Sequence, residues 1–285
     1  MKIAITGATG QLGQFVIQHI LKLSQEHEII ALVRDIEKAK KLLPNTIEIR
    51  HFDYDQPQTL ATSLQGIDKL LLISANEIGR RVPQHKAVID AAKLAQVPYI
   101  AYTSLLNADH STLGLAQEHR ETEQLIKDSS LTYTLLRNNW YIENYLGGLE
   151  HDLQHGVIYG ASGNGKISAA TRDEYAEATA KILIAPPTSH ANKTYELASN
   201  QSFTKADIAA TLAELTHKII RYENLETEAF LNALVAVGLD DDFASFLADV
   251  DNKTAHGAMF SESKDLENLL GHPTLSLKDV LKTYL

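Results

Sequence analysis

Lys2-Ile-Ala-Ile-Thr-Gly-Ala-Thr-Gly-Gln-Leu-Gly13 is the stretch on which the fold turns. A short apolar run, Ile3 to Ile5, meets Gly7, Gly10 and Gly13, and a helical pattern then begins. This reads as a strand, a tight glycine turn and a helix N-terminus. In such a turn the first glycine permits the bend, the second lets backbone approach a pyrophosphate, and the third lets helix pack on strand. Unpaired N–H groups and the positive end of the helix favour the phosphates. The spacing is G-x-x-G-x-x-G, with the first two glycines three apart. A plain turn is the alternative reading, but the strand before and the helix after favour a dinucleotide site.

Outward from this turn, apolar runs and helical patterns alternate. Strands are expected at Lys2–Thr6, Glu28–Val33, Ile47–His51, Lys69–Ile73, Tyr99–Thr103 and Thr132–Leu136. Helices are expected between them at Gln11–Leu23, Ile36–Leu43, Gln58–Leu64, Pro83–Ala95 and Glu118–Lys127. This β-α alternation predicts an α/β fold, a doubly wound parallel sheet of Rossmann type in strand order 3-2-1-4-5-6, with a ligand across the switch point. After about residue 143 the alternation loosens. Gly160 to Gly165 reads as a glycine-rich turn, Thr171 to Glu174 as a capping box for a helix at Asp173–Ile184, and Lys193–Leu197 as an edge strand. Helices are expected at Phe203–His217, Glu226–Val237, Asp240–Val250 and Ser276–Tyr284. The division is therefore a dinucleotide-binding part over 1–143 and a smaller, mostly helical substrate-cleft part over 144–285, partly interleaved with the first.

Composition narrows the function. The 285 residues are 44% hydrophobic, enough for a sizeable core, and the formal charge of -10 gives no general attraction to nucleic acid or anionic membranes. There is no cysteine, which removes disulfides, thiolate nucleophiles, iron–sulfur clusters and Cys-ligated zinc. No apolar run approaches membrane-spanning length and no leader precedes the first strand, so the expected location is cytoplasmic. His151 and His155 stand four apart without a third ligand, and no metal site is expected.

Several side chains carry candidate chemistry. Arg34 follows the second strand, where an acid would favour a ribose 2′-hydroxyl and an arginine accommodates a 2′-phosphate. A solvated surface arginine is the competing reading. Asp35 is placed to cap the next helix. Asp53 follows the third strand, near where an adenine lies in such folds, and Ser74 follows the fourth. None of the eleven tyrosines has a lysine four residues later, so the Tyr-x-x-x-Lys proton donor of ordinary alcohol dehydrogenation is absent. His119 stands roughly in its place, either as a proton donor or as a packing residue. Leu136 to Asn144 gathers amides and aromatics after the sixth strand, with Trp140 and Tyr141 as a platform for flat rings or as core.

Gly7–Gly13, Leu32-Val-Arg34, Ala101-Tyr-Thr-Ser104 and Tyr133–Asn138 are recurring blocks of a known group. The chain resembles the NmrA-like branch of the atypical short-chain dehydrogenase/reductase superfamily over essentially its full length. Lys69–Ser74, Ala101–Leu106 and Gly114–Ala116 are most similar to its bacterial quinone-reducing members, with triphenylmethane reductases close by. The resemblance implies NADPH held by Gly7, Thr9, Gly10, Gln11 and Leu12, with Arg34 on the 2′-phosphate. It implies a nicotinamide flanked by Ser74, Asn138, Asn139 and Asn144, with Arg172 completing the site. It implies an oxidoreductase passing a hydride to a quinone, with Trp140 and Tyr141 positioning the rings, in a monomer or homodimer. Two rivals stand beside it: a reductase of another planar electrophile such as a triarylmethane dye, and an NADP-binding redox sensor without turnover.

Overall fold

The computed structural model describes residues 1–285. In chain order the elements are β1 (Lys2–Thr6), α1 (Gln11–Leu23), β2 (Glu28–Val33), α2 (Ile36–Leu42), β3 (Glu48–His51), α3 (Pro57–Ser63), β4 (Lys69–Leu72), α4 (Arg81–Leu94), β5 (Tyr99–Leu105), α5 (Ala116–Lys127) and β6 (Thr132–Asn138). There follow α6 (Leu149–His155), β7 (Val157–Gly160), α7 (Arg172–Ile184), β8 (Lys193–Leu197), α8 (Lys205–Thr216), β9 (Arg221–Asn224), α9 (Thr227–Ala236), α10 (Asp241–Ala255), α11 (Asp265–Leu270) and α12 (Leu277–Lys282).

The main sheet has order β3-β2-β1-β4-β5-β6-β8, all pairs parallel. Parallel strands buried on both faces read as continuous apolar runs, which is why the sequence located them. Alternate residues serve opposite faces. Ile3, Ile5, Ala31, Val33 and Leu136 pack with Val16, Ile17 and Ile20 of α1 and Ala176, Ala180 and Leu183 of α7. Ala4, Ile30, Leu32, Leu70, Leu72 and Ile100 pack with Leu60, Val88, Ile89, Ala92 and Ile126 of α3, α4 and α5. Lys69 is fully buried in β4, an unusual place for an ammonium. It donates to the carbonyls of Ile182 and Ala185, the negative end of α7.

Chain order and spatial order part company after β6. α7 lies against α1, and β8 pairs with β6, so residues 172–197 rejoin the main layers. The Thr171–Glu174 capping box forms as expected, Thr171 N–H donating to Glu174 Oε2 at 2.9 Å, although the helix begins one residue early at Arg172. The rest of the C-terminal half builds a separate core around Ile158, Ile167, Phe203, Leu212, Val250 and Met259. The two-stranded parallel pair β7-β9 supports it.

Several sequence boundaries are corrected. β5 and β6 run on to Leu105 and Asn138 because their register continues through Ser104–Arg137 and Leu105–Asn138. Asn138 is therefore a strand residue and not part of the following loop. α10 continues to Ala255. Two elements carry no local signature: β9, whose Arg-Tyr-Glu-Asn has no apolar run, and α6, which buries no side chain.

Candidate active site

Two hollows open along the C-terminal ends of the main strands. The first, of about 600 Å³, lies over the switch point between β1 and β4. Gly7 has φ +59°, a left-handed conformation that glycine adopts without strain. A Cβ on Gly13 would stand 2.5 Å from the Gly7 carbonyl oxygen and 2.8 Å from Ala8 Cα, so the third glycine is what lets α1 seat on the turn. Nothing within the chain accepts from the N–H groups of Gln11 and Leu12, which therefore face the hollow at the positive end of α1. Gly7, Thr9, Gly10, Gln11, Leu12, Arg34, Asp53, Ser74 and Arg172 all line this groove.

The residues fit a phosphorylated dinucleotide. Arg34 leaves its side chain 73% exposed, and its nearest carboxylate, Glu77, is 3.9 Å away. Asp35 does not compete for the ribose, because its carboxylate caps α2 by accepting from Lys38 N–H at 2.9 Å. Asp53 borders the groove but is partly committed to its own turn, accepting from Asp55 N–H and Gln56 Nε2 at 3.1 Å.

The second hollow is larger, about 1350 Å³, and mostly apolar. Ser74, Ser104, His119 and Asn138 lie on its wall, as do Asn139, Trp140, Tyr141 and Asn144. α9 and α10 close the far side with Phe230, Leu234, Phe243, Phe246 and Leu247. Trp140 and Phe246 have ring centroids 6.1 Å apart, and Phe246 stacks on Phe243 at 6.2 Å, giving a row of flat faces. Ser74 alone lines both hollows.

The loop that carries Ser74 is held by side chains beneath it. Ile73 N–H donates to Thr6 Oγ1 and Ser74 N–H to Thr103 Oγ1, both at 2.9 Å. Ala75 N–H donates to His85 Nε2 at 3.0 Å, and Arg81 Nε donates to the Ala75 carbonyl. Ser104 donates to Glu123 Oε1 at 2.6 Å, and Glu123 is clamped by both ends of the Arg137 guanidinium at 2.7 and 2.8 Å. Ser104 thus offers the cavity its lone pairs.

The amides after β6 divide. Asn138 is 4% exposed and neither of its side-chain polar atoms has a hydrogen-bond partner. The Tyr141 hydroxyl is near enough to interact with that amide, although not in hydrogen-bond geometry. A buried amide left unpaired is costly, and a ligand carboxamide would relieve it. Asn139 corrects the expectation: its Oδ1 accepts from Trp140 N–H and its Nδ2 donates to the Met259 carbonyl, so it is a brace and not a free contact. Asn144 accepts from Arg172 Nη2 at 2.5 Å, and the Arg172 guanidinium lies 4.4 Å from the Tyr141 ring centroid. Arg172 therefore links the two hollows.

His119 is also corrected. Its Nδ1 meets the Tyr102 hydroxyl at 2.8 Å, and the ring is 4% exposed. Burial first, then the positive charge of Arg81, pushes its pKa down to about 3. It lines the cavity as a neutral ring, with no imidazolium to give near neutral pH. His85 is held neutral by the same two causes, also at about 3. Arg81, 8% exposed on the wall beside Ser74, was not foreseen, since a basic residue opening a helix carries no sequence signature of a site.

Comparisons with known proteins converge on one group. The NmrA-like family matches residues 1–271. Quinone oxidoreductase 2 of Escherichia coli K12 is 49% identical over 277 residues, 97% of this chain and 96% of that protein. The crystal structure of E. coli NADPH-dependent quinone oxidoreductase QOR2 complexed with NADPH superposes with TM-score 0.95 at 48% identity, covering 99% of both chains. The Citrobacter sp. triphenylmethane reductase complexed with NADP(H) does so with TM-score 0.95 at 38% identity, covering 99% of this chain and 100% of that one.

Proposed function

The chain belongs to the NmrA-like family, and on that footing we propose that it is an NADPH-dependent quinone oxidoreductase, reducing its acceptor by two electrons. The observation that carries this reading is the meeting at Ser74 of a dinucleotide groove and an apolar cavity broad enough for a planar acceptor.

Residues 1–143 serve as the cofactor part and 144–285 as the acceptor part, with α7 and β8 returning to the first. NADPH supplies a hydride when bound. The α1 N-terminus holds its phosphates through unpaired N–H groups, and Arg34 distinguishes it from NADH. Asn138, orphaned and buried, orients the carboxamide at the reactive end. Trp140 and Tyr141 set the plane of the acceptor, and the α9–α10 wall keeps water from the transfer. Quinones accept hydride readily, so positioning supplies much of the rate and the missing Tyr-Lys pair is tolerable. With His119 neutral, the one proton that completes the quinol after hydride transfer comes from water. The acidic surface agrees with a small-molecule partner and not with nucleic acid or an anionic membrane. No helix is long and apolar enough to cross a membrane, and we place the protein in the cytoplasm as a monomer or homodimer.

The test is NADPH absorbance followed with and without 1,4-benzoquinone and 1,4-naphthoquinone. Quinone-dependent oxidation, insensitive to chelators, is expected. Tight NADPH binding with no oxidation by either quinone would mean a redox sensor instead. The aromatic row Trp140–Phe246–Phe243 favours a second acceptor class, the triarylmethane dyes, read directly by loss of dye colour.

A further inference from the structure

Arg81 and Lys205 both line the acceptor cavity, and only one of them has a carboxylate at close range. Lys205 Nζ lies 2.6 Å from Asp251 Oδ2. Arg81 has no such partner. Its Nε is spent on the Ala75 carbonyl, its Nη1 is buried without a hydrogen bond, and its Nη2 makes none within the chain. The nearest carboxylate oxygen, Glu118 Oε2, is 3.9 Å from Nη1 and is itself unpartnered. The other oxygen of Glu118 is occupied with the N–H groups of Gly79 and Arg81 at the start of α4. The remaining groups facing this guanidinium are neutral: His85 from α4, His119 from α5 and the Tyr102 hydroxyl from β5. A lightly compensated buried cation is costly to keep, which calls for a use.

We propose that Arg81 is a catalytic residue, placed to receive the negative charge that develops on the acceptor oxygen during reduction. This rests on the quinone-reductase reading. In that reaction the C–H bond of the reduced nicotinamide breaks, and both of its electrons pass with the hydrogen to the quinone. One quinone oxygen becomes an oxyanion, NADP⁺ remains, and one proton from water completes the quinol. Before that proton arrives, the cavity must hold an anion among apolar walls. A fixed cation in a water-poor site stabilises such charge far better than bulk water does, with no reorganisation at the moment of transfer. Arg81 stands at the Ser74 end, where the two hollows meet, whereas Lys205 belongs to the C-terminal core and is already paired. Arg81 also depresses the two neighbouring histidines, so neither can supply the positive charge in its stead.

Arg81 also braces the Ser74 loop, and two substitutions separate the roles. Arg81→Gln keeps a donor for the Ala75 carbonyl and removes the charge. Arg81→Lys keeps the charge and loses the planar fork. A charge role predicts that Arg81→Gln lowers kcat about 100-fold, as loss of one preorganised oxyanion donor does. Its NADPH Kd should remain near the wild-type value, and Arg81→Lys should recover most of the rate. A purely structural role predicts the reverse ranking. A second readout needs no turnover. 2-Naphthol bound to the NADP⁺ complex, followed by its fluorescence, should ionise about one to two pH units lower in wild type and Arg81→Lys than in Arg81→Gln. Equal ionisation in all three, or full kcat in Arg81→Gln, overturns the proposal. No NADPH oxidation by any quinone in the wild type, with the naphthol shift intact, would instead overturn the quinone-reductase reading and leave an anion site at Arg81.

Discussion

A single exposed guanidinium carries the proposed choice of NADPH over NADH. Arg34 stands at the end of β2 with its side chain largely free, and its nearest carboxylate, Glu77, lies too far for a hydrogen bond. Arg34→Ala should weaken NADPH binding by about 1.5–3 kcal/mol, the worth of a hydrogen bond to a charged group, and leave NADH nearly unchanged. Titration of both cofactors by fluorescence checks this, and equal losses would deny Arg34 a 2′-phosphate role. The place of this residue was legible in the sequence, because it stands one step beyond a strand and so at the rim of the groove. The roles of Asn139 and His119 were not. Asn139 is engaged by the Met259 carbonyl, 120 residues away in the chain. His119 is neutral because α5 packs it against Tyr102 and near Arg81, and no reading of its neighbours in sequence reveals that.

At the next scale the glycine turn and α1 act as one piece, and the three glycines differ in what they tolerate. Gly13→Val would drive side-chain atoms into the Gly7 carbonyl and Ala8, and it should prevent α1 from seating, with loss of the folded state. A Cβ on Gly10 meets only the Gly7 carbonyl oxygen, at 3.1 Å, which a small shift relieves. Gly10→Val should therefore keep its circular dichroism and lose NADPH. The reverse pattern would place the phosphates elsewhere. The helices beneath the Ser74 loop carry a different sensitivity. His85 and His119, on α4 and α5, bind protons in the unfolded chain near 6.5 but in the fold only near 3. Below 6.5 the unfolded chain holds more protons, so stability is whole above that pH and falls as pH drops toward 3. Each ring costs about 2 kcal/mol at pH 5. Tm measured from pH 7.5 to 5 should fall, and His85→Gln should flatten the slope. Neither helix announced this behaviour, whereas the strands were plain, because burial on both faces writes an apolar run and a mixed helical face does not.

Over the whole molecule, the alternating half could be read from the sequence and the acceptor half only in outline. The β7-β9 pair joins residues 64 positions apart, and the row from Trp140 to Phe243 spans more than a hundred, and no local pattern encodes such meetings. Capping did mark where α7 begins, and that helix then carries the chain back onto α1, fastening the second half to the first. Each hollow has its own set of walls, and Ser74 alone is common to both. Traffic through the enzyme follows from that plan. A spent quinol can depart and a fresh quinone arrive while the dinucleotide stays in place, and neither must vacate a shared seat for the other. Initial-rate plots at varied NADPH and quinone should intersect, the mark of two substrates present together, and parallel lines would mean that they take turns.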